Sequence, residues 1–176
     1  LPGTILPSDV TQYTGGSNYP FITAHNIFID EVGRAYITGS NFSEGGAIIL
    51  DVATDPLNPI ELGIYDDYYL HDIYVRGDTL WGGAIYEGFF VVADVSVPTN
   101  TSTMASHETP SLFSHNVWLS DDGNTLYTTD EIEDSYIAAY DVSNIANIQE
   151  IDRVQSSPGE DVIPHNTFVV GNYLVT

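Results

Sequence analysis

Four of the five histidines share one local sequence, and this repetition makes them the first candidates for chemistry. Each is followed by Asn or Asp and then by an alternating apolar segment, as in "HNIFI", "HDIYV", "HNVWL" and "HNTFV". Because an imidazole can bind a metal ion or transfer a proton near neutral pH, a recurring histidine predicts a site assembled from several repeats. The members of this set are His25, His71, His115 and His165. The fifth histidine, His107 in "SHETP", departs from the pattern and is expected in an exposed loop.

Acidic residues recur in step with these histidines. A carboxylate stands seven positions before the Asp of each Asp-Val pair, and the segment "TTDEIED" carries several more. These acids are Glu44, Glu87, Asp134, Asp130, Glu131 and Glu133. Histidine nitrogens and carboxylate oxygens around one axis would suit a divalent ion such as Zn, Cu, Mn or Fe. The candidate metal ligands are His25, His71, His115, His165, Asp130 and Glu131, and the candidate catalytic bases are Glu87 and Glu131.

A purely structural role would account for the same repetition. A repeated histidine can hydrogen-bond the backbone of a neighbouring repeat, and the Asn or Asp that follows it can do the same. Repeat proteins copy such structural residues as regularly as they copy ligands. The sequence therefore leaves two interpretations open, a structural set of histidines and a metal-binding or catalytic cluster.

The spacing of these markers predicts the elements that must position the histidines. Successive repeat histidines are 46, 44 and 50 residues apart, and the Asp-Val pairs are 43 and 47 residues apart. Short segments with period-two alternation, separated by turns rich in Gly, Asp, Asn and Pro, predict strands. A repeat of this length with four short strands is typical of a β-propeller blade. We therefore predict an all-β fold, a β-propeller of four-stranded blades.

The blade units begin near residues 25, 71, 115 and 165 of a single propeller domain, residues 1–176. This amounts to about three complete blades with partial blades at both ends, so we expect a longer chain or another subunit to supply the remainder. The first strand of a blade lies innermost, beside the central channel. The histidines are therefore expected at one mouth of the channel, with Glu44, Glu87 and Asp134 on the same face of the disc.

Apolar residues on the innermost strands should be buried between blades, because each blade covers the face of its neighbour. This set alternates along the four segments that follow the histidines. Its members are Ile27, Ile29, Ile73, Val75, Val117, Leu119 and Val169.

Composition limits the classes of partner. The 176-residue chain has a formal net charge of −22, with 25 Asp and Glu against three arginines. Such a surface repels phosphate groups, which argues against nucleic acid and anionic membranes as partners. The absence of cysteine excludes disulfides and thiolate ligands. No apolar run approaches the roughly 18 residues of a membrane-spanning helix, so no membrane insertion is expected.

Two longer segments carry a resemblance to a known family. These are "HDIYVRGDTLWGGAIYEGFFVVADVS" and "GGAIILDVATDPLNPIELGIYD". Together with the His-Asn and His-Asp starts, they resemble the LVIVD-repeat β-propellers, and among these the choice-of-anchor B family of secreted bacterial proteins. The resemblance covers nearly the whole chain from about Ser8 onward. It implies an extracellular or cell-surface location and carries no biochemical activity with it.

Two functional hypotheses follow. In the first, the protein is a binding or structural module whose histidine- and carboxylate-bearing face recognises a protein, a glycan or a small ligand. In the second, it is an enzyme that depends on a divalent metal ion at the channel mouth. No motif in the sequence requires a cofactor, so a divalent metal ion is the one cofactor considered.

The acidity predicts how stability responds to salt. With 25 carboxylates and three arginines, most acids lack a cationic partner, and their mutual repulsion should weaken the fold at low ionic strength. We expect the melting temperature to rise between about 10 mM and about 1 M NaCl, where the screening length falls from roughly 30 to 3 Å. A thermal melt at each salt concentration measures this. A flat or falling response would contradict it and would indicate that bound cations already neutralise the surface.

Overall fold

Three four-stranded antiparallel sheets and one short hairpin make up the fold. The computed structural model describes residues 3–4 and 6–176. The first sheet comprises β1 (Asn26–Ile29), β2 (Arg34–Thr38), β3 (Ala47–Asp51) and β4 (Ile60–Tyr65). The second comprises β5 (Ile73–Arg76), β6 (Thr79–Ala84), β7 (Phe89–Asp94) and β8 (Ser102–Glu108). The third comprises β9 (Ser114–Leu119), β10 (Thr125–Asp130), β11 (Ile137–Asp141) and β12 (Gln149–Val154), and the hairpin comprises β13 (Phe168–Val170) and β14 (Tyr173–Val175).

Helical structure is minor. Within residues 3–4 and 6–176 it is limited to two short 3-10 turns, Pro7–Asp9 and Ile145–Asn147. The second turn is capped by Asn144, whose side-chain oxygen accepts a hydrogen bond from the Ala146 amide, as expected for an N-cap residue. No helix in the described part of the chain is long and apolar enough to cross a membrane.

The strand arrangement repeats from sheet to sheet. Each sheet is a meander in which strands that follow one another in the chain are hydrogen-bonded neighbours. The register between the third and fourth strands shifts at Ile49/Leu50, Val92/Ala93 and Ala139/Tyr140. An irregularity of this kind bends and twists a strand, and its recurrence at equivalent positions identifies the sheets as copies of one blade. The predicted all-β propeller fold is confirmed.

The turn between the first two strands of a blade depends on glycine. Gly33 joins β1 to β2 with φ of 83°, a left-handed conformation that side chains disfavour. A Cβ atom at Gly33 would also come within 2.6 Å of the Ala53 Cβ atom. The turn is therefore closed by a residue that can adopt this angle and leave room for the loop after β3.

Apolar side chains of an inner strand pack against the preceding blade. Along β5, Ile73 and Val75 are buried while the residues between and after them are only partly buried. Both side chains belong to the same buried cluster as Tyr36 and Ile49 of the first sheet. The next interface repeats this arrangement, joining Val117 and Leu119 to Trp81, Phe90 and Val92. Alternate residues of the second and third inner strands therefore pack against the preceding blade.

The prediction that all inner-strand apolar residues are buried is wrong for the first blade. Ile27 and Ile29 are each 56% exposed, because residues 6–25 contain no strand that could cover this face. Both side chains line an open groove of about 560 Å³ that Tyr13 and Phe21 border. Val169, in the fourth repeat, is only partly buried. The other predicted residues, Ile73, Val75, Val117 and Leu119, are buried as expected.

Equivalent isoleucines in two blades provide a matched test of this packing. Ile73 is 5% exposed and Ile27 is 56% exposed, although both stand two residues after a repeat histidine. We expect Ile73→Ala to lower the free energy of unfolding by about 2–5 kcal/mol, because it leaves a cavity between blades. We expect Ile27→Ala to lower it by less than about 1 kcal/mol. Urea unfolding of both variants measures the difference, and equal losses would show that a partner covers the first blade in solution.

Candidate metal centre

The four repeat histidines form one continuous row. Their ring centroids are separated by 3.7 Å between His25 and His71, 4.3 Å between His71 and His115, and 4.2 Å between His115 and His165. The meander order of each sheet places the start of the inner strand and the loop between the second and third strands at the same end. The histidines therefore share one end of the blades, the end that also carries the loops of Glu44, Glu87 and Asp134.

Hydrogen bonds of the backbone fix the positions of the repeat histidines at the starts of the inner strands. The His71 amide donates to the Gly83 carbonyl within its own blade, and its carbonyl accepts from the Thr38 hydroxyl of the preceding blade. The His165 carbonyl accepts from the Thr129 hydroxyl in the same way. A Cβ atom at Gly83 would lie only 2.8 Å from the His115 carbonyl oxygen, so the glycine allows the third blade to approach closely. The rings are brought together by the backbone and not by flexible side-chain reach.

A β-bulge at His115 sets the orientation of its side chain. In the pairing of β9 with β10, Asn116 lies opposite Thr129 and Ser114 opposite Asp130, which leaves His115 without a partner residue. A bulge re-aims the side chain of the extra residue and is common beside functional sites. The side chain of His115 is only 1% exposed, so this direction leads into the interior.

Asp72 is the centre of a second, more deeply placed polar group. The residues that follow the repeat histidines meet there, and the three carboxamides donate to the one carboxylate. Asn116 Nδ2 lies 3.0 Å and Asn166 Nδ2 2.7 Å from Asp72 Oδ2, and Asn26 Nδ2 donates to Asp72 Oδ1. The expected bond to neighbouring backbone is present for Asn116, whose Oδ1 accepts from the Thr167 amide of the next repeat. The amide nitrogens of the three asparagines donate instead to Asp72.

The electrostatic environment keeps Asp72 ionised and the central histidine neutral. Burial alone would raise the pKa of Asp72, but the polar contact with His71 and the Asn116 and Asn26 amides outweigh it and hold the pKa well below its usual range. Burial, and after it the neighbouring His71, lower the pKa of His115 to about 4, although Asp72 opposes the shift. Burial and the neighbouring His71 also lower the pKa of His25. His115 is therefore an uncharged imidazole near pH 7, the form that binds metals.

Hydrogen bonding sets the tautomer of His115. Its Nδ1 lies 3.0 Å from the His165 carbonyl oxygen, which can only accept, so Nδ1 carries the proton. In the neutral ring, Nε2 then presents a lone pair. Within the described residues this buried atom has no hydrogen-bond partner, and it lies 3.6 Å from Glu131 Oε2. The two acceptors face each other with no proton between them, an arrangement that a bound cation would stabilise.

The distances suit a tetrahedral metal ion. Two ligand atoms each about 2.1 Å from zinc lie about 3.4 Å apart at a tetrahedral angle. Glu131 Oε2 is 3.6 Å from His115 Nε2, and Glu131 Oε1 is 3.6 Å from His165 Nε2. His71, His115 and Glu131 offer ligand atoms that all lie within 4.8 Å of one another. An inward movement that brings all of these separations to about 3.4 Å would complete a three-ligand site.

A second set of three groups is less suitable. His25, His71 and Asp72 also bring ligand atoms within 4.8 Å of one another. However, both oxygens of Asp72 already accept amide hydrogen bonds, which a metal ion would have to displace. The carboxylate of Glu131 has no such donors within the described residues and is 32% exposed. The chemistry therefore favours the set that contains Glu131.

Other residues predicted for the site lie elsewhere. The buried Asp130 carboxylate accepts hydrogen bonds from the Thr109 hydroxyl and from two backbone amides of residues 111 and 113, so it organises a loop. The side chain of Glu87 is exposed, and within the described residues it has no contact with a histidine. His107 is not in a loop, because it lies on β8 and its ring stacks on Phe90.

An aromatic residue three positions after each histidine escaped the sequence analysis. The rings form a second row beside the imidazoles, with centroid separations of 5.3, 4.9 and 5.0 Å. The members of this row are Phe28, Tyr74, Trp118 and Phe168. The signal was present in the four aligned segments, since the third position after the histidine is aromatic in every one. One tilted and two edge-to-face contacts in this row link successive blades beside the histidines.

Comparison with known proteins extends the fold assignment. No protein-family model and no curated protein sequence matches the chain. A "putative 6-phosphogluconolactonase" from Bacteroides uniformis ATCC 8492 is 15% identical with a TM-score of 0.68, over 86% of this chain and 46% of that chain. A protein of the same name from Bacteroides fragilis NCTC 9343 is 13% identical with a TM-score of 0.65, over 93% and 50%. Hydrazine synthase from Kuenenia stuttgartiensis is 14% identical with a TM-score of 0.64, over 94% and 42%.

These likenesses concern the fold alone. At 13–15% identity they carry no shared site, and they support the β-propeller architecture. The chain spans half or less of the length of these three structures.

The histidine row predicts a pH dependence of stability in metal-free protein. The pKa values of His25 and His115 are lower in the folded protein than the ordinary value of about 6.5. As the pH falls below about 6.5 the unfolded chain takes up protons first, so the free energy of unfolding should decrease as the pH falls towards 4. Urea unfolding in the presence of a chelator, at steps from pH 7 to pH 5, measures the slope.

Two substitutions distinguish the contribution of the histidine row to this pH dependence from that of His107. We expect His115→Gln to flatten the slope, because it removes the residue with the most strongly lowered pKa among the histidines. His107→Gln should leave the slope nearly unchanged. Equal flattening in both variants would contradict the assignment of the pH dependence to the row.

Proposed function

We propose that this chain is a β-propeller binding module whose ligand is a divalent transition-metal ion, held by His71, His115 and Glu131. The observation that carries the proposal is the direct approach of His115 Nε2 and Glu131 Oε2 at 3.6 Å, with the nitrogen buried and without a hydrogen-bond partner in the described part of the chain. A structural histidine would use both ring nitrogens in hydrogen bonds or leave the second one in water. His115 uses Nδ1 to hold the next repeat and keeps Nε2 free beside a carboxylate.

The donor set selects the class of metal. Imidazole nitrogen combined with a carboxylate oxygen suits Zn, Cu, Mn and Fe, whereas Ca and Mg prefer oxygen ligands alone. The net charge of −22 favours cations of any kind near the surface, so it supports capture without adding selectivity. Zinc is the probe that we select, because its tetrahedral geometry matches the observed separations.

A metal-dependent hydrolase is the second candidate function. Its support is that three protein ligands leave a fourth position on a tetrahedral ion, and the 64% exposed side chain of His165 places the site near solvent. Two similar structures carry a gluconolactonase name, which makes a sugar lactone the first substrate to try. The zinc-loaded protein should then hydrolyse a lactone faster than the Glu131→Gln variant does. Equal rates would leave the binding module as the function.

We also propose the family and location that the sequence resemblance implies. The support is the pairing of His-Asn or His-Asp with an apolar inner strand in four repeats, as in LVIVD-repeat and choice-of-anchor B proteins. An extracellular or cell-surface protein would meet metal ions, glycans or other proteins at its histidine-bearing face. Labelling of intact cells with an antibody to this domain tests the location.

Zinc binding tests the main proposal. We expect the chelator-treated protein to bind one zinc ion per chain in isothermal titration calorimetry. His115→Ala and Glu131→Gln should each weaken the affinity at least about tenfold, since even an outer-shell partner affects metal affinity on that scale. His107→Ala is the matched control and should bind as the parent does. Absence of stoichiometric zinc, or an equal loss in the control, would contradict the proposal.

A further inference from the structure

We infer that Asp72 is a positioning residue of this metal centre, acting through His71 and not as a ligand. The inference rests on the proposed function, because it assigns a role in the same site. Asp72 occupies the position after the histidine in the second repeat, where the other three repeats have asparagine. The four equivalent positions therefore hold one acid and three amides, and the acid stands next to a proposed ligand.

Three amide donors already occupy the Asp72 carboxylate, which makes it a less suitable metal ligand than Glu131. Its Oδ1 accepts from Asn26, and its Oδ2 accepts from Asn116 at 3.0 Å and Asn166 at 2.7 Å. The side chain is only 4% exposed, so water cannot replace a displaced amide. Taking any of these three bonds away would leave a buried or partly buried amide without its acceptor, at a cost that a metal bond would have to offset.

The Oδ1 atom of Asp72 also lies close to two imidazoles. His71 Nδ1 lies 3.5 Å and His25 Nε2 3.7 Å from Asp72 Oδ1. His71 Nδ1 is buried and has no other partner within the described residues. A small rotation of the ring converts this approach into an Nδ1–H to carboxylate hydrogen bond. The ring would then present its Nε2 lone pair, the arrangement found when a carboxylate orients a metal-binding histidine.

The role of orienting His71 requires the carboxylate at residue 72 and not at the equivalent position of another repeat. In the third repeat, the residue equivalent to Asp72 is Asn116, and His115 Nδ1 is already held by the His165 carbonyl. His115 therefore needs no carboxylate, whereas His71 has no carbonyl at this nitrogen. A single acid at residue 72 supplies the missing acceptor and adds one negative charge beside the incoming cation.

The test moves the acid by one repeat. Asp72→Asn removes the carboxylate with no change in side-chain size, and the double variant Asp72→Asn/Asn116→Asp keeps one acid and three amides in the group. Asn116 Oδ1 accepts from the Thr167 amide, a bond that aspartate can also accept, so the double variant is compatible with the fold. We expect the double variant to recover most of the melting temperature that the single variant loses.

Metal affinity should not recover with it. We expect both variants to bind zinc about 10–100-fold more weakly than the parent, the usual effect of losing an outer-shell carboxylate. Recovery of affinity together with the melting temperature in the double variant would overturn the inference, because Asp72 would then act through the fold alone.

A second readout does not depend on metal binding. Nitrogen-15 spectra of the metal-free protein distinguish the two tautomers of His71. We expect the Nδ1–H form to predominate in the parent and to decrease in both variants, whereas an unchanged tautomer would overturn the inference. If the parent binds no zinc, the proposed function fails while this measurement still decides whether Asp72 orients His71.

Discussion

The packing of each inner strand on the preceding blade is the interaction on which the rest of the structure depends. Ile73 and Val75 are buried against the first blade, and Val117 and Leu119 against the second. This packing sets the lateral distance between successive inner strands. Because the histidines stand where those strands begin, the same distance places their rings 3.7–4.3 Å apart. The chemistry of the site is a consequence of how the blades stack.

Such close imidazoles cannot all be charged. Two unit charges about 4 Å apart repel by about 4 kcal/mol at the effective dielectric constant of a protein surface. Burial and the neighbouring His71 accordingly lower the pKa values of His25 and His115, and the carboxylates of Asp72 and Glu131 lie beside the row. The three carboxamides at the centre stabilise one of these carboxylates and leave the other free. Asp72 is therefore suited to orient the metal ligands, whereas Glu131 can itself be a ligand.

The repeat made much of this predictable from the sequence. The spacing of His25, His71 and His115 identified the blades, and the strand order implied a shared end for the histidines. The exposure of Ile27 and Ile29 was not predictable, because their burial depends on what covers the first blade and not on their own alternation.

The choice between neighbouring carboxylates was also beyond the sequence. Asp130 and Glu131 are adjacent, and beside the bulge at His115 it is Glu131 that approaches His115 and His165, while Asp130 turns to a loop. A pattern of residue types carries no signal for such a bulge. The aromatic row, in contrast, was predictable from the sequence. Tyr74 and Trp118 occupy the third position after the histidine in the aligned segments, and comparing that position identifies the row.

The location of the bound ion tests the central claim most directly. Anomalous diffraction at the zinc absorption edge, from crystals of the zinc-loaded protein, gives the position of the metal independently of any variant. The account predicts one peak within about 2.2 Å of both His115 Nε2 and a Glu131 oxygen. A peak coordinated by Asp72, or no ordered zinc at the histidine row, would contradict it.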